Sequence, residues 1–213
     1  MIPRLLVGSH HDDGTPFYGR LLEPFGVICR WRAAMALSLE TLSERPRFPA
    51  GYSAVIWDPI WLDRVGEIDQ RSYAGTVDAA LYGRYFRSAA GSRQLWHEAL
   101  RGRFGRFDTD RSLLLMRDGE LRGHLMACMR TSREGFIGNL AVLPEDRGGT
   151  GRALLLECLW RYRSAGFQSV SLAVTIDNKR ALHLYQSVGF TVRYRFPVLA
   201  YHRPPGRRRF AGG

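Results

Sequence analysis

The chain holds a single lysine, Lys179, against thirty arginines. So one-sided a shortage fits the coding bias of a GC-rich genome better than selection for phosphate contacts. It tempers the nucleic-acid reading that a net charge of +11 invites. The arginines are spread along the sequence, and the one tight cluster, "RPPGRRRF" from Arg203 to Phe210, reads as a solvated basic tail. Nucleic acid is therefore not an expected partner, whereas a small acidic molecule such as a nucleotide or cofactor suits a basic surface. Cysteine is also scarce. Cys29, Cys128 and Cys158 stand far apart without metal-ligand spacing, which argues for reduced thiols in a cytosol rather than a disulfide framework. No apolar run approaches the roughly 20 residues of a membrane span. The opening "MIPRLLVGSHHDDG" has no long apolar h-region of a secretory signal, so a cytoplasmic location is expected. His10, His11, Asp12 and Asp13 carry ligand atoms, but adjacent residues in a turn-rich terminal stretch rarely bind metal, and no metal is expected.

What is present suits one domain with a sizeable core: 213 residues, 45% hydrophobic and 24% charged. "RPRFPAGY", Arg45 to Tyr52, reads as a linker. It divides an N-terminal arm, residues 1–50, from a main domain over 51–202, with the basic tail at 203–213. After the linker, "YSAVIWDP" is a short strand. Ile60, Trp61, Val65 and Ile68 follow at helical spacing, and two more short helices run through "VDAALYGRYFRSA" and "SRQLWHEALRGRF", the second with Ser92 as its cap. "SLLLMRDGELRGHLMACM" is a hairpin about Asp118-Gly119. Then come strand "GFIGNLAVL", a helix over 150–165 closed by Gly166, strand "SVSLAVTI", a helix in "NKRALHLYQSVGF" and one or two last strands. An antiparallel front followed by a strand–helix–strand crossover predicts an α/β fold: one mixed, mostly antiparallel sheet covered by helices.

Chemistry concentrates in the strand-to-helix turn Arg147-Gly148-Gly149-Thr150-Gly151-Arg152. Helix-starting N–H groups lack intrahelical partners, the helix end carries partial positive charge, and glycine lets an anion approach the backbone closely. The turn is therefore read as a holder of phosphate or pyrophosphate. A nucleotide P-loop would end in Gly-Lys-Ser/Thr, where this chain has Gly151-Arg152-Ala153. A dinucleotide fingerprint fails on glycine spacing and on its antiparallel surroundings. A tight turn with no ligand is the remaining alternative.

"NLAVLPEDRGGTGRALLLECL" followed by "SLAVTIDNKRALHLYQSVGF" resembles the GCN5-related N-acetyltransferase (GNAT) superfamily. That family's acyl-CoA loop reads R/Q-x-x-G-x-G/A, and a later pattern reads N-x-x-A-x-x-L-Y-x-x-x-G-F. Asn178, Ala181, Leu184, Tyr185, Gly189 and Phe190 match the second pattern throughout. The first is shortened: ending it at Gly151 puts Asp146 where Arg or Gln is usual. The resemblance covers roughly residues 54–200. It implies a sheet whose strands splay to admit acetyl-CoA, and direct transfer of the acetyl group to a primary amine.

By the same resemblance, Leu140, Ala141 and Val142 offer backbone groups to pantetheine, residues 147–152 hold the pyrophosphate, Asn178 and Ala181 border the cofactor arm, and Tyr185 protonates the leaving thiolate. Asn178 as a helix cap and Tyr185 as a core residue are the plainer readings of those side chains. No base is evident. Asn139 could orient a water, and Tyr73, Asp78, Tyr82 and Glu134 are candidates at the acceptor site, while His124 and His183 read as packed or exposed. A non-catalytic acyl-CoA-binding domain of the same fold is the alternative function, and a second copy of the chain stands among the partners left open.

Overall fold

Asp118 and Gly119 both adopt positive φ, 52° and 78°, the geometry of a two-residue hairpin turn. They join strands β5 (Leu113–Arg117) and β6 (Glu120–Met129), which pair from Leu113↔Leu125 to Arg117↔Glu120. In this computed structural model, which describes residues 5–7 and 21–201, that hairpin lies inside one long sheet. The remaining strands are β1 (Leu5–Val7), β2 (Val27–Ser38), β3 (Tyr52–Ile56), β4 (Arg106–Phe107), β7 (Glu134–Val142), β8 (Ser169–Thr175) and β9 (Thr191–Tyr201). The order is β1-β9-β2-β8-β7-β6-β5-β3, with β4 paired to β6 off this path. Among the described strands only β7 and β8 pair in parallel, and their other pairings are antiparallel. The mixed, mostly antiparallel sheet expected from the sequence is thus present, flanked by helices. His10–Asp13 and the Arg203–Phe210 cluster lie outside the described residues.

The two faces are covered by different helices. Against one lies α5 (Thr150–Ser164), whose Leu154, Leu155 and Leu159 join Val170, Leu172 and Val174 of β8, Leu113, Leu115 and Leu125 of the hairpin, and Tyr185 of α6 (Lys179–Val188). Against the other lie α1 (Leu62–Tyr73), the short α2 (Val77–Leu81) and α3 (Gly83–Phe86), and α4 (Ala89–Leu100). There Val65, Ile68, Leu95 and Trp96 pack on Leu114, Met126 and Ala141, with Trp96 stacked on Trp57 at 5.5 Å between centroids. The cap of α4 is Ser88, whose side chain accepts from the Gly91 N–H. Ser92, expected there from sequence, lies one turn inside and donates to the Tyr85 carbonyl.

The expected boundary near residue 50 does not hold for the segment before it. Val27–Ser38 is a central strand, antiparallel to β8 on one side and to β9 on the other. Ala33, Met35 and Leu37 alternate onto the α5 face and are buried, and that burial places the strand inside. Met35→Ala should therefore cost about 3 kcal/mol, as for other fully buried large-to-small changes, measured by urea unfolding. A loss below about 1 kcal/mol would mean that the strand adds little to the core.

Candidate functional site

The register between β7 and β8 runs from Glu134↔Ser169 to Ile137↔Leu172 and then stops, although β7 continues to Val142 and β8 to Thr175. The two strands part, and a cavity of about 650 Å³ opens at the split. Gly138 to Val142 line it from β7, and Leu172 to Thr175 line it from β8. The cavity is reached from both faces: by Arg147, Gly148, Gly149, Gly151, Asn178, Ala181 and Tyr185 from the α5–α6 side, and by Tyr73, Asp78, Tyr82 and Phe86 from the α1–α3 side.

At the first of these mouths, Gly148 and Gly149 have φ of 110° and 101°, values that L side chains rarely adopt. An added Cβ at either would meet nothing within 4 Å, so backbone strain, not crowding, calls for glycine there. The turn bares the first N–H groups of α5 towards open space, a cradle that fits a phosphate. The arginines at this turn differ. Arg152 is held by the Glu44 carboxylate, by Ser187 Oγ at 2.6 Å and by the Ser187 carbonyl at 3.2 Å. Arg147 makes one hydrogen bond, to the Ser72 carbonyl at 3.2 Å. Burial, and then the charge of nearby Arg180, lower its pKa. Two cations that repel one another beside a glycine cradle favour an anion between them. Arg180, which the sequence reading did not single out, lines the cavity, and so does Arg152. Thr150 does not line the cavity; its hydroxyl turns inward to the Asp146 carbonyl at 2.6 Å. Asp146 is buried and accepts from Tyr52 at 2.7 Å, a structural role.

Tyr185 reaches the split from α6, its ring edge-on to Phe190 at 5.9 Å. The residue is 9% exposed, and its hydroxyl makes no hydrogen bond among the described residues. Burial, followed by the charge of Asp78, raises its pKa to about 12 against an opposing pull from Arg32. The phenol therefore keeps its proton throughout the neutral range.

Asp78 is 7% exposed and is the single carboxylate among the described lining residues. It accepts from Thr175 Oγ1 at 2.6 Å and from Asn178 Nδ2 at 2.7 Å. Asn178 also caps α6, accepting from the Ala181 N–H at 3.2 Å, so it links the helix start to the cavity's acid. Tyr82 accepts a hydrogen bond from Arg32 at 2.7 Å. Asn139 lines the cavity with its side chain engaged on both sides: its Oδ1 accepts from Tyr73 Oη at 2.7 Å, and its Nδ2 donates to Asp69 at 3.0 Å. His124 Nε2 donates to the same Asp69 carboxylate at 2.9 Å. Asp69 and His124 are both fully buried, so this chain of polar groups locks the Tyr73 hydroxyl at the cavity wall, its ring stacked on Phe86 at 3.9 Å. Burial, then Asp69 and Asp78, push the Tyr73 pKa well up. Glu134 is a correction to the acceptor-side candidates. It sits at the opposite, paired end of β7, outside the cavity, and accepts from Ser171 Oγ at 2.5 Å. Among the described residues, no cluster of three or more His, Cys, Asp or Glu is arranged for a metal, and no helix is long and apolar enough to cross a membrane.

The sheet is thus parted after Ile137 and Leu172, with a glycine turn at one mouth of the split and a protonated phenol in the gap. The family model of the Acetyltransferase (GNAT) family matches residues 79–190, just over half of the chain, and the chain belongs to that family. Its members generally use acetyl-CoA as co-substrate. The chain is 38% identical over 100 residues to a mycothiol acetyltransferase of Thermomonospora curvata, and 40% identical over 92 residues to one of Thermobispora bispora. These matches cover 46% and 40% of this chain but only 33% and 31% of those proteins. The chain thus spans about a third of the length of the curated relatives it matches. A GCN5-related N-acetyltransferase from Sphaerobacter thermophilus superposes with a TM-score of 0.66 at 23% identity, over 95% of this chain and 61% of that one. At that identity the likeness concerns the fold.

Proposed function

We propose that the protein transfers an acetyl group from acetyl-CoA to a primary amine by direct attack. The observation that carries this reading is the unpartnered Tyr185 hydroxyl in the split between β7 and β8, with the glycine cradle beside it. The cradle at Gly148, Gly149 and Gly151, with Arg147 and Arg180, would hold the phosphates. The unpaired stretch from Gly138 to Val142 would hold the pantetheine arm, whose bound form supplies an acyl thioester. Both curated relatives are named as acetyltransferases, which supports acetyl as the acyl group.

The chain's residues then have separate tasks. Asp78, the one carboxylate among the described lining residues, draws a cationic amine into the pocket and is the group available to receive its proton. The nitrogen forms its bond to the acyl carbon as the carbon–sulfur bond breaks. Tyr185, its pKa raised to about 12, gives its proton to the departing sulfur, and the second proton that the nitrogen sheds as the amide forms restores the phenol. Tyr73, held by the Asn139–Asp69–His124 chain, fixes the wall against which the acceptor sits. The test is release of coenzyme A thiol with a panel of primary amines, matched by mass detection of the amide product. Amine-dependent release with N-acetylated product is expected. Release that no amine accelerates would contradict the reading.

A further inference from the structure

The cavity has a second cationic pole that the cradle does not account for. Arg32 comes from β2, outside the matched residues 79–190. It stands opposite Thr175 of β8, on the face away from Ala33 and Met35. Its guanidinium lines the cavity, donating through Nη1 to Tyr82 Oη at 2.7 Å and through Nη2 to the Ala173 carbonyl. Its Nε lies buried without a partner. A guanidinium carries five N–H bonds, so most of its donor capacity is unused by the described protein. Among the described residues no carboxylate pairs with it: Asp78, the only acid in the lining, makes its own bonds to Thr175 and Asn178. The charge of Arg32 is nevertheless felt at Tyr73, Tyr82 and Tyr185.

A half-buried guanidinium with an unpartnered buried Nε and no carboxylate partner among the described residues is free to take an anion that the ligand supplies. The donor's phosphates are already matched by Arg147, Arg180 and the start of α5. The anion met by Arg32 would therefore belong to the acceptor. Asp78 and Tyr82 lie one helical turn apart, the Tyr82 N–H bonding the Asp78 carbonyl at 2.7 Å. The carboxylate and the Arg32–Tyr82 pair line the same cavity. Tyr82 Oη accepts from Arg32 and keeps its own proton to donate, and burial raises its pKa so that this proton stays in place.

Resting on the acetyltransfer reading above, we infer that the acceptor is a small amine that also carries a carboxylate, such as an α-amino acid or a short peptide's equivalent, with Arg32 and Tyr82 binding the carboxylate while Asp78 meets the amine. Arg32 is then a specificity-determining residue contributed by the strand that completes the sheet between β8 and β9.

The test compares α-amino acids with their own primary amides, which keep the amine and side chain and lose only the charge. Rates are expressed per concentration of free-base amine. The wild-type enzyme should show a kcat/KM for the preferred acid about tenfold or more above that of its amide, as befits a charge-assisted contact in a buried site. Arg32→Gln should collapse this ratio towards one, and Arg32→Lys should keep part of it. Acetyl-CoA titration of each variant separates loss of fold from loss of selectivity, and the wild-type ratio decides the matter if Arg32→Gln does not fold. Equal or inverted wild-type preference, a ratio that survives Arg32→Gln, or turnover of amides but of no acid would each overturn the inference while leaving acetyltransfer standing. Turnover of neither class would overturn the inference, and the wider amine panel would then decide acetyltransfer on its own.

Discussion

Tyr185→Phe is expected to lower kcat by about a hundredfold or more, the ordinary scale for losing a positioned general acid, while acetyl-CoA binding changes little. The substitution removes one oxygen that makes no hydrogen bond within the described protein, so no buried partner is orphaned and the ring keeps its edge contact with Phe190. What disappears is the proton. A departing thiolate that must take its proton from water raises the barrier for chemistry and not for binding, which separates kcat from KM. The sign of the pH dependence follows from the same group. Burial and Asp78 raise the phenol's pKa from 10 to about 12, so the protonated, donating form persists through neutral and mildly alkaline solution. The kcat profile of the wild type should therefore show no descending limb from Tyr185 until the pH nears that value. A limb that falls near pH 10 and vanishes in Tyr185→Phe would show that the cavity does not shield the phenol.

Gly151→Leu is expected to raise the apparent KM for acetyl-CoA by about tenfold or more, with the folding midpoint nearly unchanged. The first atom of the new side chain would meet Val142 Cγ2 at 3.6 Å, an ordinary contact. Gly151 is not among the positive-φ glycines, so a helix-favouring residue fits its backbone. The rest of the leucine would extend from the first turn of α5 into the cradle, where phosphate oxygens need direct access to N–H groups. Unaltered KM in a stably folded variant would show that the donor's phosphates lie elsewhere. This change and Tyr185→Phe divide the site, one acting on donor affinity and the other on chemistry.

Legibility in the sequence tracked how local each feature was. The glycine turn, the Asp118-Gly119 hairpin and the Asn178-to-Phe190 helix could be read because residues within a few positions of one another determine them. The strand Val27–Ser38 could not, since its partners lie more than a hundred residues on. Its pattern is also disguised: Arg30 and Arg32 occupy the face opposite Ala33 and Met35, and a charged residue in a strand reads as solvated. Arg32 was missed for that reason, and its role became visible only with Tyr82 and Ala173 beside it. The polar chain from Tyr73 through Asn139 and Asp69 to His124 draws on α1, β6 and β7. No spacing announces it, although an acid at Asp69, one position on from Ile68 and four from Val65, was a signal to be had. Arg152 lines the cavity as its motif position suggested, but it is also held by Glu44 of the N-terminal arm, a partner that no local spacing discloses.

The central claim is that the parted strands and the cradle at the start of α5 bind acetyl-CoA. Calorimetric titration of the protein with acetyl-CoA tests it most directly. The account predicts saturable binding at one site per chain, weakened in Gly151→Leu and retained in Tyr185→Phe. No heat and no thermal shift with ligand carried into the millimolar range would contradict it.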